Sequence, residues 1–120
     1  MESKELDEMF CKSDIYIKFV GMSKFKNKES FPIEEDWKEL IECFSFFYPA
    51  FILKLKKEKM TVIRFRLCLL SCMGFRSKEI KNLLGLRSSQ QVSNIKRGVN
   101  NIFFNENCAS SLKQNLRSLL

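Results

Sequence analysis

Histidine does not occur in the 120 residues, and there are only 4 Gly and 2 Pro. The first absence removes the side chain most used as a general base near neutral pH and the commonest metal ligand. The scarcity of Gly and Pro argues against a sheet protein full of tight turns. No apolar run approaches the roughly 18 residues needed to span a bilayer, and the acidic start MESKELDE is not a secretory signal. Paired-carboxylate motifs and glycine-rich phosphate loops are also missing. Nothing here is laid out as an enzyme, and no cofactor is expected.

Acidic residues are scarce in one part only. Residues 1–50 carry 7 Lys/Arg against 11 Asp/Glu, while residues 51–120 carry 14 against 3. The net charge of +7 is therefore a strongly basic second part behind a mildly acidic first part. Such an excess is the electrostatic footprint of something that meets phosphate, although membrane surfaces and acidic proteins attract the same charge.

What is abundant is apolar. Hydrophobic residues make up 45% of the chain, and 12 of them are Phe. One all-α domain with an aromatic-rich core is expected. The five cysteines, Cys11, Cys43, Cys68, Cys72 and Cys108, are odd in number and sit mostly in apolar runs. They read as reduced core thiols of a cytoplasmic protein, with pKa values raised by burial. Cys68 and Cys72 share a helix face that could hold two metal ligands, but no histidine and no CxxC pair supplies the rest, so no metal is expected.

Spacing places the helices. Ser3 can cap a short first helix with Leu6, Met9 and Phe10 on one side, and Ser13 or Asp14 begins a second with Ile15, Phe19 and Met22 in a row. The charged stretch KFKNKES, Lys24 to Ser30, reads as a loop. Glu34, Glu35 and Asp36 then fall in the first turn of a third helix, where the backbone dipole favours negative charge. Trp37, Leu40, Ile41, Phe44, Phe47 and Tyr48 form its apolar face. Pro49 ends that helix or begins the next, in which Phe51, Ile52 and Leu55 point inward. Lys54, Lys56 and Lys57 point outward and, with Lys59, make the densest basic cluster. They are either a solvated helix end or a contact to DNA backbone.

Thr61 caps a helix running to Met73 that is apolar on nearly all sides, as a central scaffold helix should be, and Gly74 closes it. Gly74 to Asn101 then reads as a helix-turn-helix. Ser77 can cap a helix with Ile80, Leu83 and Leu84 on one face and Lys78 and Lys81 outside it. Gly85 stops it and Leu86 plugs the corner. Ser88 or Ser89 caps the second helix, in which Val92, Ile95, Val99 and Ile102/Phe103 recur at steps of three and four. The opposite face, Gln90, Ser93, Asn94, Arg97 and Asn101, contains no acid. It is either an ordinary solvated surface or a DNA-reading face, since Gln and Asn can pair bidentately with adenine and Arg with guanine. After the break NENCAS, Ser110 or Ser111 caps a last helix. Its Leu112, Leu116, Leu119 and Leu120 either complete the core or pair with a second copy in a homodimer.

The run TVIRFRLCLLSCMGFRSKEIKNLLGLRSSQQVSNIKRGVNNIF resembles the LuxR-type helix-turn-helix output domain of bacterial regulators. SDIYIKF, EEDWKEL and YPAFILKLK resemble the segment that precedes it. The likeness spans about residues 13 to 104. It implies an all-helical bundle with a C-terminal helix-turn-helix, a winged-helix-superfamily output domain without a clear wing. It also implies a transcription regulator of duplex DNA, usually dimeric and often the cytoplasmic end of a longer chain. Residues 1–57 would be an N-terminal helical segment packed on the output domain, residues 58–120.

In this likeness the scaffold helix is Val62 to Met73, the supporting helix Lys78 to Leu84, and the recognition helix Ser89 to Phe103. Gln90, Ser93, Asn94, Arg97 and Asn101 would face bases. Lys78, Lys81, Arg87, Lys96 and Arg76 would hold phosphates. The chain departs from the pattern at Arg64, where an acid is usual, and at Lys81, where a small residue is usual. Its turn is one residue longer, and Gly98, Asn100 and Asn101 stand where Arg or Lys is often found. Fewer cations there mean fewer phosphate contacts. The competing expectation is a degenerate helix-turn-helix that serves as a protein-interaction or oligomerisation module.

Overall fold

The computed structural model describes residues 3–24 and 31–120. These form eight α-helices and no strand: α1 Ser3–Cys11, α2 Asp14–Ser23, α3 Glu34–Phe47, α4 Pro49–Lys57, α5 Val62–Met73, α6 Ser77–Leu84, α7 Ser89–Phe104 and α8 Leu112–Arg117. The loop expected at Lys24 to Ser30 falls, apart from Lys24, outside the described residues, as does the cap expected from the Ser3 side chain.

Local chemistry sets most of the boundaries. Ser13 Oγ accepts from the Tyr16 amide at 3.4 Å and starts α2, and Thr61 Oγ1 accepts from the Arg64 amide at 3.4 Å and starts α5. Pro49 is the first residue of α4, where its missing N–H costs nothing. Asp36 closes the N-terminus of α3 by accepting from the Ile33 amide at 2.9 Å. It is only 4% exposed, and its other oxygen meets Lys18 Nζ at 2.6 Å.

Desolvation works against the Asp36 charge, but the Lys18 ammonium and the Ile33 amide outweigh it and hold this carboxyl below the usual carboxylate range. A depressed folded pKa contributes stability above the unfolded value, near pH 3.9, and that stability is lost as pH falls through the folded value. Wild type should therefore lose stability on acidification below about pH 4 more steeply than Asp36→Asn, as read from urea midpoints at a series of pH values. Equal slopes would contradict the role given to this pair.

The scaffold role expected of α5 holds. Residues from Leu67 to Met73 are all buried, and α5 packs against α6, α7 and α8. Its first turn does not fit the expectation of an apolar helix buried on all sides, since Val62 is 63% and Ile63 41% exposed. In this turn Arg64 and Phe65 are half-buried, and Arg64 reaches the Gly98 position of α7. At its C-terminus Gly74 adopts φ +94°, and the Phe75 amide reaches back to the Leu70 carbonyl at 3.2 Å. The last carbonyls are taken by distant side chains: Arg117 Nη1 donates to the Cys72 oxygen at 2.9 Å and the Tyr16 hydroxyl to that of Met73 at 3.2 Å. Orphan acceptors of a helix end thus tie α2 and α8 to α5.

One core runs through the whole molecule. Phe10, Phe19, Trp37, Phe44 and Phe51 lead in the first part, and Leu67, Leu70, Ile80, Val92, Val99, Leu112 and Leu116 in the second. The first part joins the second where α2 packs on α6. Leu112 and Leu116 are fully buried, so the C-terminal stripe completes this core, while Leu120 stays 37% exposed. The expected cap at Ser110 or Ser111 is absent. Ser111 precedes α8 but makes no side-chain cap bond: its backbone is helical at φ −88° and ψ −6°, and its oxygen accepts from Asn100 Nδ2 at 2.8 Å while its proton goes to Glu106 at 2.6 Å.

The cysteine expectation is half corrected. Cys68 and Cys72 are buried and burial pushes both thiols up, but Cys11 and Cys108 are exposed. The Cys108 thiol is held below its ordinary value by hydrogen bonding to the Ser110 hydroxyl and to the Ser110 and Ser111 amides. Cys11 is the last residue of α1 and Cys108 lies in the loop between α7 and α8, so neither has a helix packed over it.

Candidate nucleic-acid interface

The corner between α6 and α7 is built by backbone chemistry at both ends. Gly85 takes φ +68°, which an L side chain resists, and a Cβ there would lie 3.4 Å from the Phe31 ring. The Leu86 amide returns to the Lys81 carbonyl at 2.9 Å, and the half-buried Leu86 side chain packs on the core beneath. Ser88, rather than Ser89, caps α7. Its Oγ accepts from the Gln91 amide at 3.3 Å, and Gln91 Oε1 accepts from the Ser88 amide at 3.3 Å and the Arg87 amide at 2.7 Å. This reciprocal box satisfies the free amides at the start of α7.

α6 starts differently from expectation. Arg76 is its N-cap residue, and the Glu79 carboxylate accepts from the Arg76 amide at 2.8 Å. Ser77 lies inside the first turn and does not cap. Its hydroxyl accepts instead from Lys96 Nζ at 3.0 Å, a bond from α7 to α6. Lys96 is half-buried, and desolvation pushes its ammonium below its ordinary value. That cation is spent on joining the two helices.

Along α7 the inward rungs are Val92 and Val99, both fully buried, with Ile95 and Phe103 partly covered. Of the pair Ile102/Phe103 it is Phe103 that packs inward, and Ile102 is 46% exposed. Gln90, Asn94, Arg97 and Asn101 are exposed and Ser93 is half-buried. The steps 90, 94, 97 and 101 place four polar side chains in one row about 16 Å long, roughly the length of four to five base-pair steps. Gln90 Nε2 donates to Asn94 Oδ1 at 3.0 Å, so the two amides align one another.

Asn100 departs from its expected position. It stood among the positions often held by Arg or Lys, yet it is 0% exposed. Its Nδ2 donates to the Cys108 carbonyl at 2.9 Å and to Ser111 Oγ at 2.8 Å, while its Oδ1 accepts from Asn115 Nδ2 at 2.9 Å. Residue 100 therefore fastens α7 to α8 and cannot face a ligand. Periodicity missed it because a polar residue on the buried side carries no signal until its partners, six to fifteen residues on, are known.

Arg76, Lys78 and Arg87 are exposed and Lys81 is half-buried. Among the described residues none of these four, nor Arg97, is in an ion pair, whereas Arg66 is held by Glu34 at 2.9 Å and Arg117 by Asp7 at 3.1 Å. Arg76 and Lys78 line a shallow depression with Lys24, and the same depression holds Glu79. A row of amides and a guanidinium, bordered by cations, can donate to and accept from base edges and can donate to phosphates. Among the described residues no cluster of three metal-ligating side chains occurs, and no helix is long and apolar enough to cross a membrane.

Gly98 lies on the flank of this row. A Cβ there would meet only Arg64 Nη2, at an ordinary 3.8 Å. Gly98→Ala should therefore raise stability by about 1 kcal/mol through helix propensity alone, measurable as a higher thermal midpoint. A lower midpoint would mean that the helix is tighter there than described.

No protein-family model, no curated protein and no solved structure matches this chain.

Proposed function

We propose that this chain is a DNA-binding regulator of transcription, a LuxR-like helix-turn-helix protein of the bacterial cytoplasm in which α7 enters the major groove of duplex DNA. The observation that carries this reading is the acid-free row on α7. Gln90, Asn94, Arg97 and Asn101 share one exposed face of a helix whose N-terminus is locked by the Ser88–Gln91 box. In the groove, Gln90, Ser93 and Asn94 would read adenine edges and Arg97 a guanine, with Asn101 at the far end. Arg76, Lys78, Lys81 and Arg87 would hold phosphates. Lys96 would contribute little, because its ammonium serves Ser77. A homodimer would place two α7 helices on two half-sites. With Leu112 and Leu116 used internally and Leu119 packed on the core, such a dimer would have Leu120 as the exposed leucine of the stripe.

Fluorescence anisotropy with a labelled mixed-sequence duplex, salt varied, tests the reading. Affinity should fall steeply with salt. Arg97→Ala should lower affinity for a selected site about tenfold or more, since a bidentate base contact discriminates by roughly 1–3 kcal/mol. No binding at low salt would reject the reading.

One observation favours a second reading, the protein-interaction module. Phe46 is 78%, Leu53 62% and Val62 63% exposed, all outside α7. Assembly that survives high salt and is indifferent to Arg97→Ala would support it instead.

A further inference from the structure

We infer that Arg64 is an additional phosphate anchor of the α7 interface, delivered from the first turn of α5; this rests on the DNA reading above. Arg64 Nη2 comes within 3.8 Å of the Cβ position of Gly98. On a helix, residue 98 adjoins residues 94 and 101, so this guanidinium lies beside the row that carries Asn94, Arg97 and Asn101. A Cβ at 98 would meet it at no more than ordinary contact distance, so the guanidinium packs over this position without being clamped by it.

The two arginines of α5 are held very differently. Arg66 donates both carboxylate contacts to Glu34, at 2.9 and 3.0 Å, and its guanidinium stacks 4.7 Å from the Trp37 ring centroid. Arg64 is half-buried, yet among the described residues its guanidinium makes no hydrogen bond and no ion pair. A half-buried guanidinium keeps five donors in a planar fork suited to phosphate oxygens. With its stem packed and its donors uncommitted, it loses little freedom on meeting a phosphate at the groove edge. The contact is to backbone, so it adds affinity without changing which bases are preferred.

The test measures anisotropy of a fluorescein-labelled mixed-sequence duplex about two helical turns long, with the full chain and sodium chloride varied. Wild type is compared with Arg64→Gln, Arg64→Lys and Lys38→Gln, the last removing an exposed cation of α3. Removing one phosphate contact should reduce the slope of log affinity against log salt by about 0.9, which near 0.1 M salt is roughly an eightfold loss. We expect this for Arg64→Gln, with most of the slope restored in Arg64→Lys, little change in Lys38→Gln and unaltered helicity throughout. Binding by wild type with an unchanged slope in Arg64→Gln overturns the anchor and leaves the DNA reading intact. A loss that Lys38→Gln reproduces also overturns it, as an effect of net charge. No binding by wild type overturns both.

Discussion

Phe44→Ala should cost about 3–5 kcal/mol, while Phe46→Ala, two residues away, should cost less than about 0.5 kcal/mol. Phe44 is 0% exposed and sits at the meeting point of the first part of the core. Its ring centroid lies 4.6 Å from Phe10 in an edge-on arrangement, 5.9 Å from Phe51 and 6.3 Å from Tyr48. Truncation removes a whole ring and leaves a cavity that three helices would have to collapse to fill. It also removes aromatic contacts worth roughly 0.5–1.5 kcal/mol each beyond buried area. Since a domain of this size holds about 5–15 kcal/mol in total, the variant should be close to unfolding at physiological temperature. Phe46 points to solvent at 78% exposure, and its loss removes little buried area. Urea denaturation of both variants checks the contrast; similar midpoints would mean that the register of α3 is wrong.

Asn100→Asp is the second large effect, of about 3–5 kcal/mol at neutral pH, because it leaves a buried charge without a counter-ion. The amide nitrogen of Asn100 faces the Cys108 carbonyl and the Ser111 hydroxyl, with the Glu106 carboxylate 3.5 Å away. Exchanging that donor for an oxygen sets acceptor against acceptor and brings a second carboxylate towards Glu106. Glu106 is itself stabilised as the anion by donation from Ser111 and Asn115. The introduced carboxyl would titrate above its unfolded value because it is desolvated, so the penalty is present at neutral pH and relieved as pH falls. Asn100→Ala should cost less, about 2–3 kcal/mol, since it strands polar partners without adding charge. Thermal midpoints at two pH values distinguish these outcomes; an Asn100→Asp variant as stable as wild type would mean that α7 and α8 are not joined at this residue.

These two residues mark what could and could not be read from the chain. Phe44 lies on the apolar row of α3 at helical spacing, and Ser13, Thr61, Gly74 and Gly85 end or begin helices as their side-chain and backbone chemistry requires. The outward row Gln90, Asn94, Arg97 and Asn101 was legible for the same reason, since a 3.6-residue period and four inward rungs determine which side chains remain. Asn100, Asp36 and Lys96 were not legible. Each is a polar group whose burial depends on partners elsewhere in the chain, and periodicity sorts such residues to the surface. Ser77 and Ser111 have good capping chemistry, but their oxygens accept from Lys96 and Asn100 instead. Arg64 was recognisable only as a departure from the LuxR-like pattern; its position over Gly98 required the crossing of α5 and α7.

The most direct test of the α7 interface is an amide-resolved NMR titration of the isotope-labelled full chain with duplex DNA at low salt. The largest shifts should fall on the outward positions of α7, around Gln90, Asn94, Arg97 and Asn101, with smaller ones near Arg76 and Arg87. Shifts centred instead on Phe46 and Leu53 of α3 and α4, or none at all, would contradict it.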